Sequence, residues 1–570
     1  MAPLRTTLLM CSALWLAACR GDSGDAGDDD GEPPPPPVVC DDGEVDIPDV
    51  ALRAVLLEIL SDPEASDDES SGTGPMDQVL TAPALEQLVG LQAAQRGIES
   101  LRGLECATNL TSLGLAGNAV ADLGPLSGLT GLRELELTGN PIADLEPLRD
   151  LTALEKLVLT NTGVASLAVI AGMPALSHLD VAHDEVSDLT PLAGRTNLES
   201  LVLSNNNISD IGPLAGLGRL FALELDNNKI TDVTPLAGLA RLEYLDLDGN
   251  QITSLAPLAD LTRLRDLEAS ANKLTTTAGL GGKPDLVELS LQANQIAALV
   301  DMTGLDALTT LDVDENLLTT LGESGKLGRL RTLDARANKL ADITAILGLP
   351  DLRRLDLRDN VALDDLGPVS TLPMLDFLGA GGGGQSFDLG ALAGRELLRQ
   401  VELPGVGPTD YAPLAALPAL RTLGLAGAAI DAADLADIAA CPGLTSLTIR
   451  ETTIADLAPL APLLLLQTID ASATKIDDFG PLLLLPRLES VDVSSTAVAS
   501  IAGLELLEKI NDLKLRDTDV ADITPLLDNT RIRLGDRVDI TGAPLDSGDC
   551  PVIAELAARM AVVVTDLACD

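Results

Sequence analysis

The feature that most limits what this chain can become is a 22-residue repetition of leucines. One unit reads Leu110-x-x-Leu113-x-Leu115-x-x-Asn118-x-Val120-x-Asp122-Leu123-x-Pro125-Leu126-x-x-Leu129. The next places Leu132, Leu135, Leu137, Asn140, Ile142, Asp144, Leu145, Pro147, Leu148 and Leu151 at the same offsets. First leucines recur at Leu154, Leu176, Leu198, Leu220, Leu242, Leu264, Leu286, Leu308, Leu330 and Leu352 without slippage, after an imperfect unit at Leu88. Later units start at Leu375, Leu398, Leu420, Leu444, Leu466, Leu488, Ile510 and, less regularly, Ile532, about 20 units in all. A chain of 570 residues is too long for one ordinary core, and a fixed period lets it grow along one dimension instead.

Each unit has a physical reading. Leu-x-x-Leu-x-Leu alternates, so two leucines point inward from a short strand while their neighbours point out. The asparagine follows at the turn, where its amide satisfies backbone groups that no strand or helix uses. Stacking makes a ladder of Asn118, Asn140, Asn206, Asn228, Asn250, Asn272, Asn294, Asn316, Asn338 and Asn360. Pro-Leu suits a short helical turn at the back. Aromatics are 1% of the residues against 46% hydrophobic, so the core is aliphatic. The pattern resembles the short leucine-rich repeats of bacterial internalins and of the related phosphatase-regulator class, from about Val45 to the C-terminus. That resemblance implies an α/β-type solenoid, an arc with a concave parallel β-sheet and a convex side of 3-10 helices and turns. Stacked strands would run on the order of 100 Å along the sheet.

Two stretches depart from the pattern. From Leu444 onward the ladder position holds Thr452, Thr474, Thr496 and Thr518, each with one hydroxyl instead of an amide. Gly381-Gly382-Gly383-Gly384 replaces a turn, and no Gly-Lys-Ser/Thr follows, so it reads as an irregular joint and not a phosphate loop. Solenoid ends need covers. Residues 45–87 are expected to form a helical N-terminal cap, with a helix over Val45–Leu60 and a polar loop from Asp62 to Asp77; the solenoid spans 88–545. Residues 546–570 would make a C-terminal cap, with a helical run to Met560 and a strand over Ala561–Thr565.

The first residues read as an export signal: Arg5 is basic, Leu8 to Leu16 are mostly apolar, and the stretch, which holds the single tryptophan, Trp15, is too short to span a bilayer. Leu16-Ala17-Ala18-Cys19 resembles the lipobox of bacterial lipoproteins, which implies removal of residues 1–18 and acylation of Cys19. The alternative is an ordinary signal that ends near a cysteine. Residues 19–44 form an acidic, proline-rich tether with Asp28-Asp29-Asp30 and Pro33 to Pro37; its length reaches on the order of 80 Å. The expected location is therefore the cell envelope, lipid-anchored, in the inner or outer membrane. With 87 acidic and 37 basic residues the formal charge is −50, which repels nucleic acid and anionic lipid and favours cationic partners or calcium, or serves solubility alone.

Cys550 and Cys569 bracket the last cap, and a disulfide between them would contribute about 3 kcal/mol. Cys106 and Cys441 sit near buried leucine positions and read as small core residues. A Cys40–Cys106 pair is the open alternative. No cysteine spacing suggests zinc, and no cofactor or nucleophile–base arrangement is recognisable, so an enzyme is not expected. Both histidines, His178 and His183, belong to one unit and are expected to face the concave surface near Asp180 without a third ligand for a metal.

What stands out is a row of carboxylates between the second and third leucines: Glu136, Asp180, Glu224, Asp246, Glu268, Asp312, Asp334, Asp356, Glu402, Asp470 and Asp492. The strongest patch gathers Tyr244, Asp246, Asp248, Asp266, Glu268, Asp312, Asp314 and Asp334, with Arg336, Arg354, Asp356 and Arg358 beside it. Tyrosine and arginine are the residue types that carry interface energy. The expected function is protein recognition through this acidic concave face, with a basic protein as the partner and calcium as a further candidate. A structural envelope protein without a specific ligand is the alternative.

Overall fold

The computed structural model describes residues 38–40, 43–60, 79–559 and 561–569. Residues 1–18, Cys19, most of the 19–44 tether and the expected loop from Asp62 to Asp77 lie outside the described residues.

Each unit contributes a three-residue strand centred on its second leucine, beginning with β1 (Gly90–Gln92) and β2 (Ser112–Gly114). Every strand pairs in parallel with the next, through to β22 (Val562–Val564), giving one 22-stranded sheet. The register keeps leucine opposite leucine: Leu113 faces Leu135, and Leu245 faces Leu267. Those side chains are buried, as are the third leucines such as Leu115 and Leu247. Burying one leucine is worth roughly 2 kcal/mol, and the repetition carries one aliphatic core along the whole solenoid.

The ladder explains the turn that leaves each strand. Asn250 accepts the Ile230 amide at Oδ1 (3.0 Å). Its Nδ2 donates to the carbonyls of Leu225 (2.9 Å) and Leu247 (3.0 Å). One side chain thus closes its own turn and ties it to the preceding unit. Asn272, Asn294 and Asn316 repeat the arrangement. Thr452, Thr474, Thr496 and Thr518 make only the local bond, each hydroxyl donating to the carbonyl three residues before it. On the far side of the turn an aspartate accepts the amide two residues on, as Asp122 does from Gly124 (2.7 Å), and opens the 3-10 helix Gly124–Leu126 with Pro125 inside it. Asp342, Asp365, Asp388 and Asp410 do the same.

At the N-terminal end the helix is Val50–Leu60, shorter than the expected Val45–Leu60. Val45 is held as extended chain because its amide donates to the Leu80 carbonyl (2.8 Å) and Glu44 bridges Thr81 antiparallel. Asp49 then starts the helix by accepting the Leu52 amide (2.8 Å). Cys106 is buried, but it is not merely a small core residue: it forms a disulfide with Cys40 and pins the start of the described chain to the first unit. Cys441 is buried and free.

At the other end the Cys550–Cys569 disulfide closes the cap around the helix Cys550–Ala558. This cap also extends the sheet, since β22 pairs with β21 (Arg537–Asp539). The unit at Ile532 places its strand later than the repeat offset implies, because Arg533 to Asp536 form an extra turn.

The glycine run leaves the sheet unbroken. β13 (Arg354–Asp356), β14 (Phe377–Gly379) and β15 (Gln400–Glu402) pair normally across it. Gly381 and Gly382 have φ of 106° and 100°, and a Cβ on Gly381 would stand 2.5 Å from the Pro404 carbonyl oxygen. Only glycine suits both demands. Gln385 takes over the bridging role of the missing asparagine, donating to the Asn360 carbonyl (2.8 Å) and accepting the Gly383 amide (2.9 Å).

Candidate interaction surface

Strict register turns the outward position of each strand into a continuous row. β7 (Ala222–Glu224), β8 (Tyr244–Asp246), β9 (Asp266–Glu268), β10 (Glu288–Ser290), β11 (Thr310–Asp312), β12 (Thr332–Asp334) and β13 align Glu224, Asp246, Glu268, Ser290, Asp312, Asp334 and Asp356. Ser290, which carries no charge, divides the acids into two groups. That gap is visible in the sequence once the strands are aligned, but a search for carboxylates alone passes over it.

The first group surrounds Asp246. Its Oδ1 accepts the Asp248 amide (2.9 Å), and Asp266 lies opposite Tyr244 in the next strand. Burial pushes the Asp246 carboxyl up to about 8, with the charges of Asp226, Asp248 and Glu268 adding to the shift and the Asp248 amide opposing it. Burial and the neighbouring acids raise Tyr244 as well, and burial with Asp226 and Asp180 raises Glu224. One carboxylate oxygen each from Asp246, Asp248 and Glu268 lies within 4.8 Å of the other two. This trio offers hard oxygen donors of the kind calcium takes, though fewer than the six to eight it needs. Neither histidine belongs to it. His178 is on the outward face of its strand beside Asp180, whereas His183 sits in the turn with φ of 58° and does not share that face.

The second group is held by backbone amides and arginines. Asp312 accepts the Asp314 amide (2.9 Å), and Asp314 accepts the Arg336 amide (2.6 Å) while the Arg336 guanidinium stands 3.5 Å away. Burial, then Asp312, lifts Asp314 to about 7 despite that guanidinium. Burial also raises Asp312 and Asp334.

Beyond Asp334 the face changes character. Arg354 donates to Asp334 (2.9 Å) and Asp356 (3.1 Å), and Arg358 donates to Asp356 through Nε (2.8 Å) and Nη2. Asp356 is only 2% exposed, so these guanidiniums satisfy a buried carboxylate. Arg354 also lies over the Phe377 ring, 3.9 Å from its centroid. Phe377 is at the repeat offset of Arg354, two residues past its first leucine, and a search of the face for carboxylates passes over it. The structure thus brings the twelve expected residues onto one face but separates them into an acidic part from β7 to β12 and a self-neutralising part at β13.

Family models for leucine-rich repeats match residues 108–150, 196–238 and 241–261. No curated protein matches the chain. Among solved structures, an internalin C2 from Listeria monocytogenes is 33% identical, with 39% of this chain and 94% of that one covered and a TM-score of 0.36. A leucine-rich-repeat protein of Leptospira interrogans is 20% identical, with 75% and 96% covered and a TM-score of 0.48. The Arabidopsis receptor kinase HAESA ectodomain, solved with a peptide hormone ligand, is 18% identical, with 84% and 91% covered and a TM-score of 0.53. Repeat, register, ladder and the family-model matches agree: the chain is a leucine-rich-repeat protein.

Proposed function

We propose that this protein is an exported recognition protein that binds a basic protein segment along the acidic concave face from β7 to β12. The observation that carries the reading is the pair of carboxylate groups around Asp246 and Asp314, where burial and like charge hold protons that a cationic partner would replace. Tyr244, flanked by Asp246 and Asp266, supplies an aromatic anchor of the kind that dominates interfaces. Leucine-rich-repeat ectodomains solved with peptide ligands support this at the level of the fold. The two disulfides suit an oxidising compartment outside the cytosol. Acylation at Cys19, with the following residues as a tether, would hold the solenoid at a membrane of the cell envelope.

Cross-linking capture from envelope extract tests this, with a variant carrying Asp246→Lys, Asp312→Lys and Asp334→Lys and checked for unchanged circular dichroism. A protein captured by the wild type and lost by the variant is the expected result. Equal capture by both would move recognition off this face.

A further inference from the structure

Parallel in-register stacking puts every residue that leads into a strand on one flank of the arc and every residue that follows it on the other. The leading flank has a composition unlike the rest of the molecule. Over the ten units from Leu220 to Leu420, the two positions beside the first leucine hold nine arginines against four acids, Glu243, Asp285, Asp351 and Asp376, in a chain of net charge −50. Arg219, Arg241 and Arg263 precede the leucine in three consecutive units, and Arg331, Arg353, Arg399 and Arg421 follow it in four of five. All seven are exposed, and Arg331, Arg353 and Arg399 make no ion pair among the described residues. The same two positions carry exposed apolar side chains, Phe221 (43%), Val287 (37%) and Leu397 (41%).

We infer that this flank docks on an anionic lipid surface. Guanidiniums fork onto phosphate oxygens, and apolar side chains between them enter the headgroup boundary, a combination that a soluble polyanion would leave half unused. The backbone steps between neighbouring units are short and regular: the Arg353 amide donates to the Arg331 carbonyl and the Arg421 amide to the Arg399 carbonyl, each at 2.8 Å. The row therefore runs along roughly 40 Å of the solenoid at strand spacing. The aspartates that open the convex turns lie on the other flank, about 16 Å away across a strand, two screening lengths at physiological salt. The concave carboxylates begin three residues past the arginines, about 10 Å or one screening length away. The overall negative charge thus slows approach without cancelling contact. This inference is independent of the concave-face reading and of acylation at Cys19.

Vesicle co-sedimentation tests it with the chain from Arg20 onward, which keeps every described residue and carries no acyl group. The expected result is binding to vesicles with about a third phosphatidylglycerol and none to phosphatidylcholine alone. Arg331→Glu, Arg353→Glu and Arg399→Glu together should weaken that binding roughly a hundredfold, at about fivefold for each arginine lost. Lys229→Glu, Lys273→Glu and Lys339→Glu, on the other flank, make the same change in net charge and should leave it unaltered. Phe221→Ser should weaken binding with no change in its salt dependence. No binding to anionic vesicles, equal loss in the lysine variant, or binding of soluble polyphosphate in place of vesicles would each overturn the inference.

Discussion

Between Asn206 and Asn360 each ladder amide ties its unit to the one before it, whereas between Thr452 and Thr518 each hydroxyl bonds only within its own unit. In the asparagine region, the amide two residues past the ladder position is accepted by the next asparagine, as Ile252 is by Asn272. In the threonine region the equivalent amides of Ile476 and Val498 find no acceptor among the described residues. Both regions keep the same strands and the same buried aliphatic side chains. The leucines therefore suffice to stack units, and the asparagines add a second, polar set of ties between them. A solenoid behaves roughly as a sum of unit and interface stabilities, so the C-terminal third should be the first part to open.

The largest test of that difference is truncation at the ladder. Asn250→Ala should cost about 2–3 kcal/mol, because it orphans the buried Ile230 amide and takes one of two donors from the Leu225 and Leu247 carbonyls, which keep Asn228 and Asn272, while Thr474→Ala should cost about 1 kcal/mol for one lost bond. Urea unfolding of both variants measures the costs, and amide exchange shows whether the damage crosses into the neighbouring unit. Equal costs, or damage confined to one unit in both, would break the comparison.

A gain should be available where the ladder is chemically wrong. Asp184 occupies an asparagine position, is 8% exposed, and accepts the amides of Thr162 and Gly163 at one oxygen. Its other oxygen has no partner, where an asparagine would place the amine that donates to carbonyls. Burial raises this carboxyl above its ordinary range. Asp184→Asn should stabilise the protein by about 1–2 kcal/mol, read as a higher unfolding temperature at pH 7. An unchanged or lower temperature would mean that the ladder position does not require an amide.

Most of the fold was legible in the sequence because a repeat states the same fact many times. A single Leu-x-x-Leu-x-Leu is a weak sign, but its return at fixed spacing sets strand, inward face and register together. Legibility fails where the period fails. The insertion after Ile532 displaces a strand, and nothing local marks Cys40 as the partner of Cys106. The concave face was legible as a set of residues but not as a balance of charges. Whether Arg354 is available to a ligand or spent on Asp334 and Asp356 depends on side-chain reach, which spacing does not encode.

The smallest expected effect links the two regions through pH. The asparagine-bearing units carry the carboxylates with raised values, Asp246 at about 8 and Asp314 at about 7. A carboxyl whose folded value lies above its unfolded one binds its proton more tightly in the native state. Its contribution to stability is therefore complete below its ordinary range near 4 and is lost as pH rises through 7 and 8. Exposed aspartates such as Asp188 and Asp342, held low by their threonine hydrogen bonds, act in the opposite sense and lose stability only as the solution becomes strongly acidic. The unfolding temperature should thus peak in mildly acid solution and decline by a few degrees toward pH 8.5. Asp246→Asn should flatten that decline while leaving the acid side unchanged. The pair Asp492 and Lys514, in the threonine region, offers the control, since this carboxylate of the same row stands 3.5 Å from an ammonium. If Asp492→Asn flattened the decline as much as Asp246→Asn, the carboxylate row would have no special electrostatic state, and its claim to be the binding face would weaken with it.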